Sequence, residues 1–311
     1  MTALLKPAPV APPASLSVLS PASFADSQRL ERGLERLRGL GFSPSLAANA
    51  QTRGPLFFAG LPQQRLDDLH AAFTDPDAAF LAAIRGGYGS NYLLDAIDLD
   101  CIRKNPKPFF AYSDLTGLQL HLLDRIGLPV FHGPMVAADF ALDDGVHLPS
   151  FHAALAGQPC ALGPAEGMRT LRPGNAEGTL YGGCLSILVS LLGTPWEPDT
   201  AGKLLFLEDL GVKPYQIDRM LWQLAHAGKL RNLRGLIFGE MLDCVSPGAD
   251  PDLLDQVILR AFRDADFPIA VGLRSGHVSR QNVTLTFGLP ARLNASPDRA
   301  ELHLLEPAVR A

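Results

Sequence analysis

Cysteine is scarce in this chain, and its four residues, Cys101, Cys160, Cys184 and Cys244, form no CxxC pair. That argues against a disulfide scaffold or a zinc knuckle and leaves free thiols in a reducing compartment as the expectation. The metal-ligand spacings HExxH and HxxxH are missing, as are GxxxxGK[ST] and GxGxxG. Neither a bound metal nor a nucleotide or dinucleotide cofactor is expected. Charge is sparse too: 19% of residues are charged, the net charge is −5, and Lys and Arg do not cluster. Nucleic acid is therefore not an expected partner. No apolar run approaches the roughly eighteen residues that span a bilayer, so no membrane span is expected. The opening "MTALLKPAPVAPPASLSVLS" fails as a signal peptide because Pro7, Pro9, Pro12 and Pro13 interrupt its apolar residues. Residues 1–14 are expected to form a flexible leader, and the protein to be cytoplasmic.

What is present is a large core: 47% of the 311 residues are hydrophobic, enough for two ordinary domains. No internal repeat appears. From Leu16 a short strand meets a Ser-Pro turn, and Asp26 or Ser27 can cap a helix with Leu30, Leu34 and Leu37 on one face. A second helix fits "QQRLDDLHAAF". The Gly-rich "RGGYGS" follows "AAFLAAI", and "PFFAYS" and "LPVFHG" are further short apolar runs. Strands alternating with helices predict an α/β fold with a doubly wound, mostly parallel sheet over residues 15–150. Residues 151–174 are rich in Ala, Gly and Pro and read as a linker with little regular structure. Residues 175–311 read as a smaller, β-rich α/β domain, with strands at "GTLYGGCLSIL", "KLLFLED", "RGLIFGEM" and "VTLTFG" and a helix at "YQIDRMLWQLAHAG". Ligands of such parallel sheets bind beyond the carboxyl ends of the strands. "RGGYGS" and "YSD" should therefore share a crevice.

Several residues could carry chemistry. Ser113, in "FFAYSDLTGL", stands between a strand-like run and a helical pattern, where a hydroxyl can be exposed as a nucleophile or can simply end a strand. A serine nucleophile needs a base, normally histidine, oriented by a carboxylate. His70, His121 and His226 lie within helical patterns, whereas His277 follows Gly276 in a loop before a strand. Glu208 closes the buried-strand pattern "KLLFLE", an expensive place for a carboxylate without a partner. Glu208 or Asp209 would serve equally as a turn cap, and Glu240 at the end of "RGLIFGE" is a rival orienting acid. The glycines of "RGGYGS" could aim backbone N–H groups at an oxyanion or form a plain turn.

Six segments in order then resemble one family: "RGGYGSNYLLDAID", "NPKPFFAYSDLTGLQLHLLDRIGLPVFHGPM", "YGGCLSILVSLLGTPWEPD", "LFLEDLGVKPYQIDRML", "LRGLIFGEMLDC" and "GHVSRQNVTLTFG". Together they resemble the LD-carboxypeptidase family of serine peptidases, which includes murein tetrapeptide carboxypeptidases and microcin C self-immunity hydrolases. The likeness runs from about Leu16 to Asn294. It implies a Ser–Glu–His triad falling on Ser113, Glu208 and His277, in preference to Glu240, with the active site in an interdomain cleft. The N–H groups of Asp114 and Gly87 are the expected oxyanion donors. Three positions depart from the family pattern: Ala111 replaces a common glycine, Cys184 the asparagine of a "GGN" motif, and Thr286 a common proline. None is a triad member, and Cys184 removes an amide from the substrate side.

The resemblance implies hydrolysis of the bond joining an L-configured centre to the terminal D-alanine of a murein tetrapeptide during cell-wall recycling. No cofactor is implied; a homodimer is. Cleavage of a peptidyl- or aminoacyl-nucleotide, as in microcin C self-immunity, is the alternative, disfavoured by the compact stretch from Trp196 to Phe206. A non-catalytic muropeptide-binding protein is the reading of a different class, and the presence of all three triad residues speaks against it.

Overall fold

The structure is a computed structural model that describes residues 3–310. The chain divides into two units: Met1–Gln158 with Arg280–Gly288 and Pro307–Ala311, and Pro159–Ser279 with Leu289–Glu306. No helix among the described residues is long and apolar enough to cross a membrane.

The first unit is built on a six-stranded sheet. Its elements in chain order are β1 (Ala14–Leu19), α1 (Ser27–Gly39), β2 (Phe42–Leu46), α2 (Pro62–Thr74), β3 (Phe80–Ala83), α3 (Leu99–Lys104), β4 (Phe109–Ala111), α4 (Thr116–Ile126), β5 (Val130–His132) and α5 (Leu148–Ala156). Helix α1 forms as its pattern predicts: the Asp26 side chain accepts the Arg29 N–H, and Leu30, Leu34 and Leu37 are buried. Strands β3, β4 and β5 are buried at every position, the signature of a parallel sheet covered on both faces. The parallel strands run in the order β5-β4-β3-β1-β2, so the winding reverses between β1 and β3. Such a switch point is where doubly wound sheets leave a crevice at the carboxyl ends of their strands. Three of those ends lead into Ser20–Ser23, Ile84–Gly87 and Tyr112–Ser113.

The second unit carries an eight-stranded sheet. Its elements are β6 (Ala161–Leu162), β7 (Arg169–Arg172), β8 (Gly174–Cys184), α6 (Leu185–Ser190), β9 (Lys203–Glu208), α7 (Pro214–His226), β10 (Gly235–Gly239), α8 (Leu253–Ala261) and β11 (Ile269–Leu273), and, after the excursion of β12 (Leu285–Phe287), β13 (Pro290–Ser296) and β14 (Arg299–Leu304). β8, β9, β10 and β11 are parallel neighbours, and antiparallel strands complete both edges. The α/β class, the parallel-rich first sheet and the β-rich second unit agree with expectation.

Three expectations need correction. The leader, over its described residues 3–14, is tied down: Leu5 N–H donates to Gly127 O (2.8 Å), Val10 N–H to Leu155 O (2.8 Å), and Pro7 O accepts from Arg310 N–H (2.8 Å). Prolines deny this segment a helix, and its extended backbone instead satisfies groups left open by neighbouring elements. Residues 151–174 are not an unstructured linker. They hold most of α5, which Gly157 ends in the left-handed region (φ 70°), followed by β6 and β7 on opposite edges of the second sheet. Finally, "VTLTFG" does not join the second domain. Its strand β12 pairs antiparallel with β5 in the first sheet, because hydrophobic pattern fixes a strand but not its neighbour.

Candidate active site

Ser113 has φ 66°, a left-handed conformation that costs a residue with a Cβ about 1 kcal/mol or more. The strain comes from geometry: β4 stops at Ala111, and a 3-10 turn over Ser113–Leu115 feeds straight into α4. A sharp strand-to-helix turn of this kind is how a nucleophilic serine is raised above a sheet. Gly86, in the turn after β3, lies against it. A Cβ there would come within 2.7 Å of Ser113 Cβ, 2.9 Å of its Oγ and 3.3 Å of the Asp114 nitrogen, so only glycine fits.

The Gly86–Ser90 turn is pinned on two sides. Ser23, from the end of β1, donates its N–H to Gly86 O (3.3 Å), while its hydroxyl accepts Tyr88 N–H (3.0 Å) and donates to Tyr88 O (3.3 Å). On the other side Asp114 Oδ2 accepts the Ser90 N–H (2.9 Å), and the Ser90 hydroxyl donates to Asp114 O (2.7 Å). Asp114 is buried, and burial pushes its carboxyl above the usual range against the opposing pull of hydrogen bonds from Ser90 and Gly89 and the charge of Arg65. Gly87 has φ 103° and faces Ser23: a Cβ there would meet the Ser23 Oγ at 2.4 Å.

In the second unit, β9 ends at Glu208, which is 0% exposed. One oxygen, Oε2, accepts both the His277 ring Nδ1–H (2.7 Å) and the His277 backbone N–H (2.9 Å). A carboxylate only accepts, so Nδ1 carries the proton and Nε2 is the basic nitrogen. Gly276, at φ 88°, allows the approach, since a Cβ would sit 2.5 Å from Glu208 Cδ. Glu240 instead accepts the Ser279 N–H (3.0 Å) and so shapes the loop beyond His277. The capping role falls to Asp209, which accepts Ser186 N–H (2.8 Å) and Leu210 N–H (2.9 Å). Cys184 is the β8 partner of Glu208; burial, then the charges of Glu208 and Asp209, push its thiol well above its usual range. It is therefore a neutral neighbour of the acid.

Among the described residues no three His, Cys, Asp or Glu side chains are grouped to hold a metal ion. Ser23, Ser90 and Arg65 have no role in the sequence reading, and the steric roles of Gly86 and Gly276 are not visible there. Gly86, Ser90 and Gly276 lie inside quoted motifs, yet nothing marks Arg65 in the polar run "PQQRLDD" or links Ser23 to residues sixty positions away.

Residues 16–133 match the LD-carboxypeptidase N-terminal domain, and residues 177–293 match the LD-carboxypeptidase C-terminal domain. The chain belongs to the LD-carboxypeptidase family. It is by that membership a carboxypeptidase. A Bacillus subtilis protein named "Probable murein peptide carboxypeptidase" is 37% identical over 290 residues, covering 92% of this chain and 90% of that one. The crystal structure of a muramoyltetrapeptide carboxypeptidase from Oxalobacter formigenes superposes with a TM-score of 0.82 at 28% identity, covering 94% and 98% of the two chains. An MccF-like protein from Bacillus anthracis gives 0.89 at 25% identity, covering 96% and 99%.

Proposed function

We propose that this LD-carboxypeptidase removes the terminal D-alanine of murein tetrapeptides by a Ser113–His277–Glu208 mechanism. The observation that carries the reading is the 2.7 Å bond from His277 Nδ1 to a fully buried carboxylate, which leaves Nε2 as the base. In this reading Ser113 Oγ attacks the carbonyl carbon of the L,D bond as Nε2 takes its proton. The tetrahedral oxyanion is held by the N–H groups of Asp114 and Gly87. The Gly87 assignment is supported by the peptide before it: its carbonyl goes to Ser23 N–H, and a trans peptide then points its N–H the opposite way. The imidazolium gives its proton to the departing D-alanine nitrogen as the C–N bond breaks. Water, deprotonated by the same imidazole, then releases the tripeptide and regenerates Ser113. The reading extends to peptides released by wall turnover in the cytoplasm and to a homodimer.

Incubation of the purified protein with a murein tetrapeptide, read by mass spectrometry, is the test. Free D-alanine is expected with the wild type and none with Ser113→Ala, which should melt at an equal or slightly higher temperature because the hydroxyl is not part of the core. Release by a folded Ser113→Ala would overturn the nucleophile. Cleavage of an aminoacyl-nucleotide in place of the tetrapeptide would overturn the substrate.

A further inference from the structure

Arg65 is the largest of the fully buried side chains, 1% exposed, in the first turn of α2. Its Nη1 donates to Gly89 O (2.8 Å) and to Pro21 O (2.9 Å), and its guanidinium carbon lies 4.9 Å from the centre of the Phe58 ring. Nε and Nη2 are buried without a hydrogen-bond partner among the described residues. A buried guanidinium with two idle donors is expensive. Burial pulls it below its ordinary range, and the charge that pulls it back is that of Asp114. A hydrophobic side chain of similar volume would fill the same space without a charge to desolvate. What it would not do is bond Gly89 O and Pro21 O.

We propose that Arg65 is a positioning residue for the nucleophile, holding through its bond to Gly89 O the Gly86–Ser90 turn that Asp114 and Ser90 join to the Ser113 turn. Asp114 binds Ser90 N–H through its side chain while its own backbone nitrogen sits beside Ser113. Anything that loosens Asp114 therefore loosens the turn around Ser113 Oγ. The other ionisable groups nearby do not duplicate the role. Tyr88, in the turn itself, titrates above its ordinary value, chiefly through its bond with the Tyr92 hydroxyl and also through Asp114, so it stays neutral. Arg85 points at Gly87, with Nη2 3.6 Å from where a Cβ would be.

The inference rests on Ser113 being the nucleophile, and its test separates the two. Arg65→Met and Arg65→Lys are compared with the wild type by ¹³C-carboxyl NMR titration of Asp114, by denaturant unfolding, and by kcat and KM for D-alanine release. In Arg65→Met, Asp114 is expected to titrate at higher pH, because the cation that favours its charged form is gone. Stability should fall, because Asp114 is left buried without its countercharge and Gly89 O and Pro21 O lose their donor, while kcat of the folded protein falls about 100-fold at nearly constant KM. Arg65→Lys keeps the charge but not the fork, so Asp114 should titrate as in the wild type and kcat should fall only about tenfold. An Asp114 titration identical in all three proteins would overturn the link between Arg65 and Asp114, and a kcat that tracks only the folded fraction would reduce Arg65 to a packing residue. Should Arg65→Met not fold, Arg65→Gln takes its place, with the same rise expected in the Asp114 titration and the same fall in kcat. Should the wild type release no D-alanine, the functional reading fails while the Asp114 titration still decides this one.

Discussion

At the scale of single residues, the site depends on atoms that are absent as much as on those present. Gly86 and Gly276 leave the space into which Ser113 and Glu208 fit, with contacts of 2.7 and 2.5 Å to an added Cβ. The two differ in consequence. Gly276 is also held at φ 88°, so any side chain there strains the backbone as well as the acid. Gly86 has no such constraint, and Gly86→Ala isolates the steric effect on the nucleophile. Its Cβ must displace Ser113 Cβ or the Gly86 backbone by several tenths of an ångström. We expect kcat for D-alanine release to fall about 100-fold with a melting temperature lowered only slightly. Unchanged kcat in Gly86→Ala would mean that the Gly86 turn does not register Ser113. The sequence shows both glycines plainly, yet the purpose of Gly86 is visible only once β3 and β4 are neighbours, and that of Gly276 only once it meets Glu208.

At the scale of elements, legibility followed the physics of burial. The runs "FLAA" and "FFA" read correctly as strands because a parallel sheet buried on both faces demands continuous apolar residues. The cap of α1 and its leucine stripe were equally plain. The Pro-, Ala- and Gly-rich stretches misled, since composition reports what a segment cannot form by itself and says nothing about partners it meets in the fold. The leader is the clear case. Val10 is buried, and two N–H groups of the segment are paired with Gly127 and Leu155. Deleting residues 1–10 should therefore cost about 3–7 kcal/mol of unfolding free energy, counting one buried valine and three backbone bonds, the third being Arg310 N–H to Pro7 O. Denaturant unfolding measures it, and a truncated protein as stable as the full chain would show these contacts to be idle.

At the scale of the whole molecule, the chain passes from one unit to the other at Gln158, Ser279, Gly288 and Glu306. The last three passages follow His277, and neither composition nor periodicity announces them. The motif order is legible from about Leu16 to Asn294, and it points to Glu208 and His277 as acid and base. Left open by the residues alone was the choice between Glu208, Asp209 and Glu240, three carboxylates near strand ends. Hydrogen bonding separates them: Asp209 caps α6, Glu240 shapes the 279 loop, and Glu208 faces the imidazole. The central claim is that Glu208 and His277 act as one unit on Ser113. It is tested most directly by kcat/KM for Glu208→Gln, His277→Ala and the double variant on one tetrapeptide. Glu208→Gln keeps the shape and removes the charge that fixes the tautomer and stabilises the imidazolium. A loss of about 10⁴-fold is expected, by analogy with the Asp→Asn change in a serine-protease triad. Residues that work as a unit are not additive, so the double variant should be little worse than His277→Ala alone; penalties that multiply would mean that the two residues act independently, contradicting the triad.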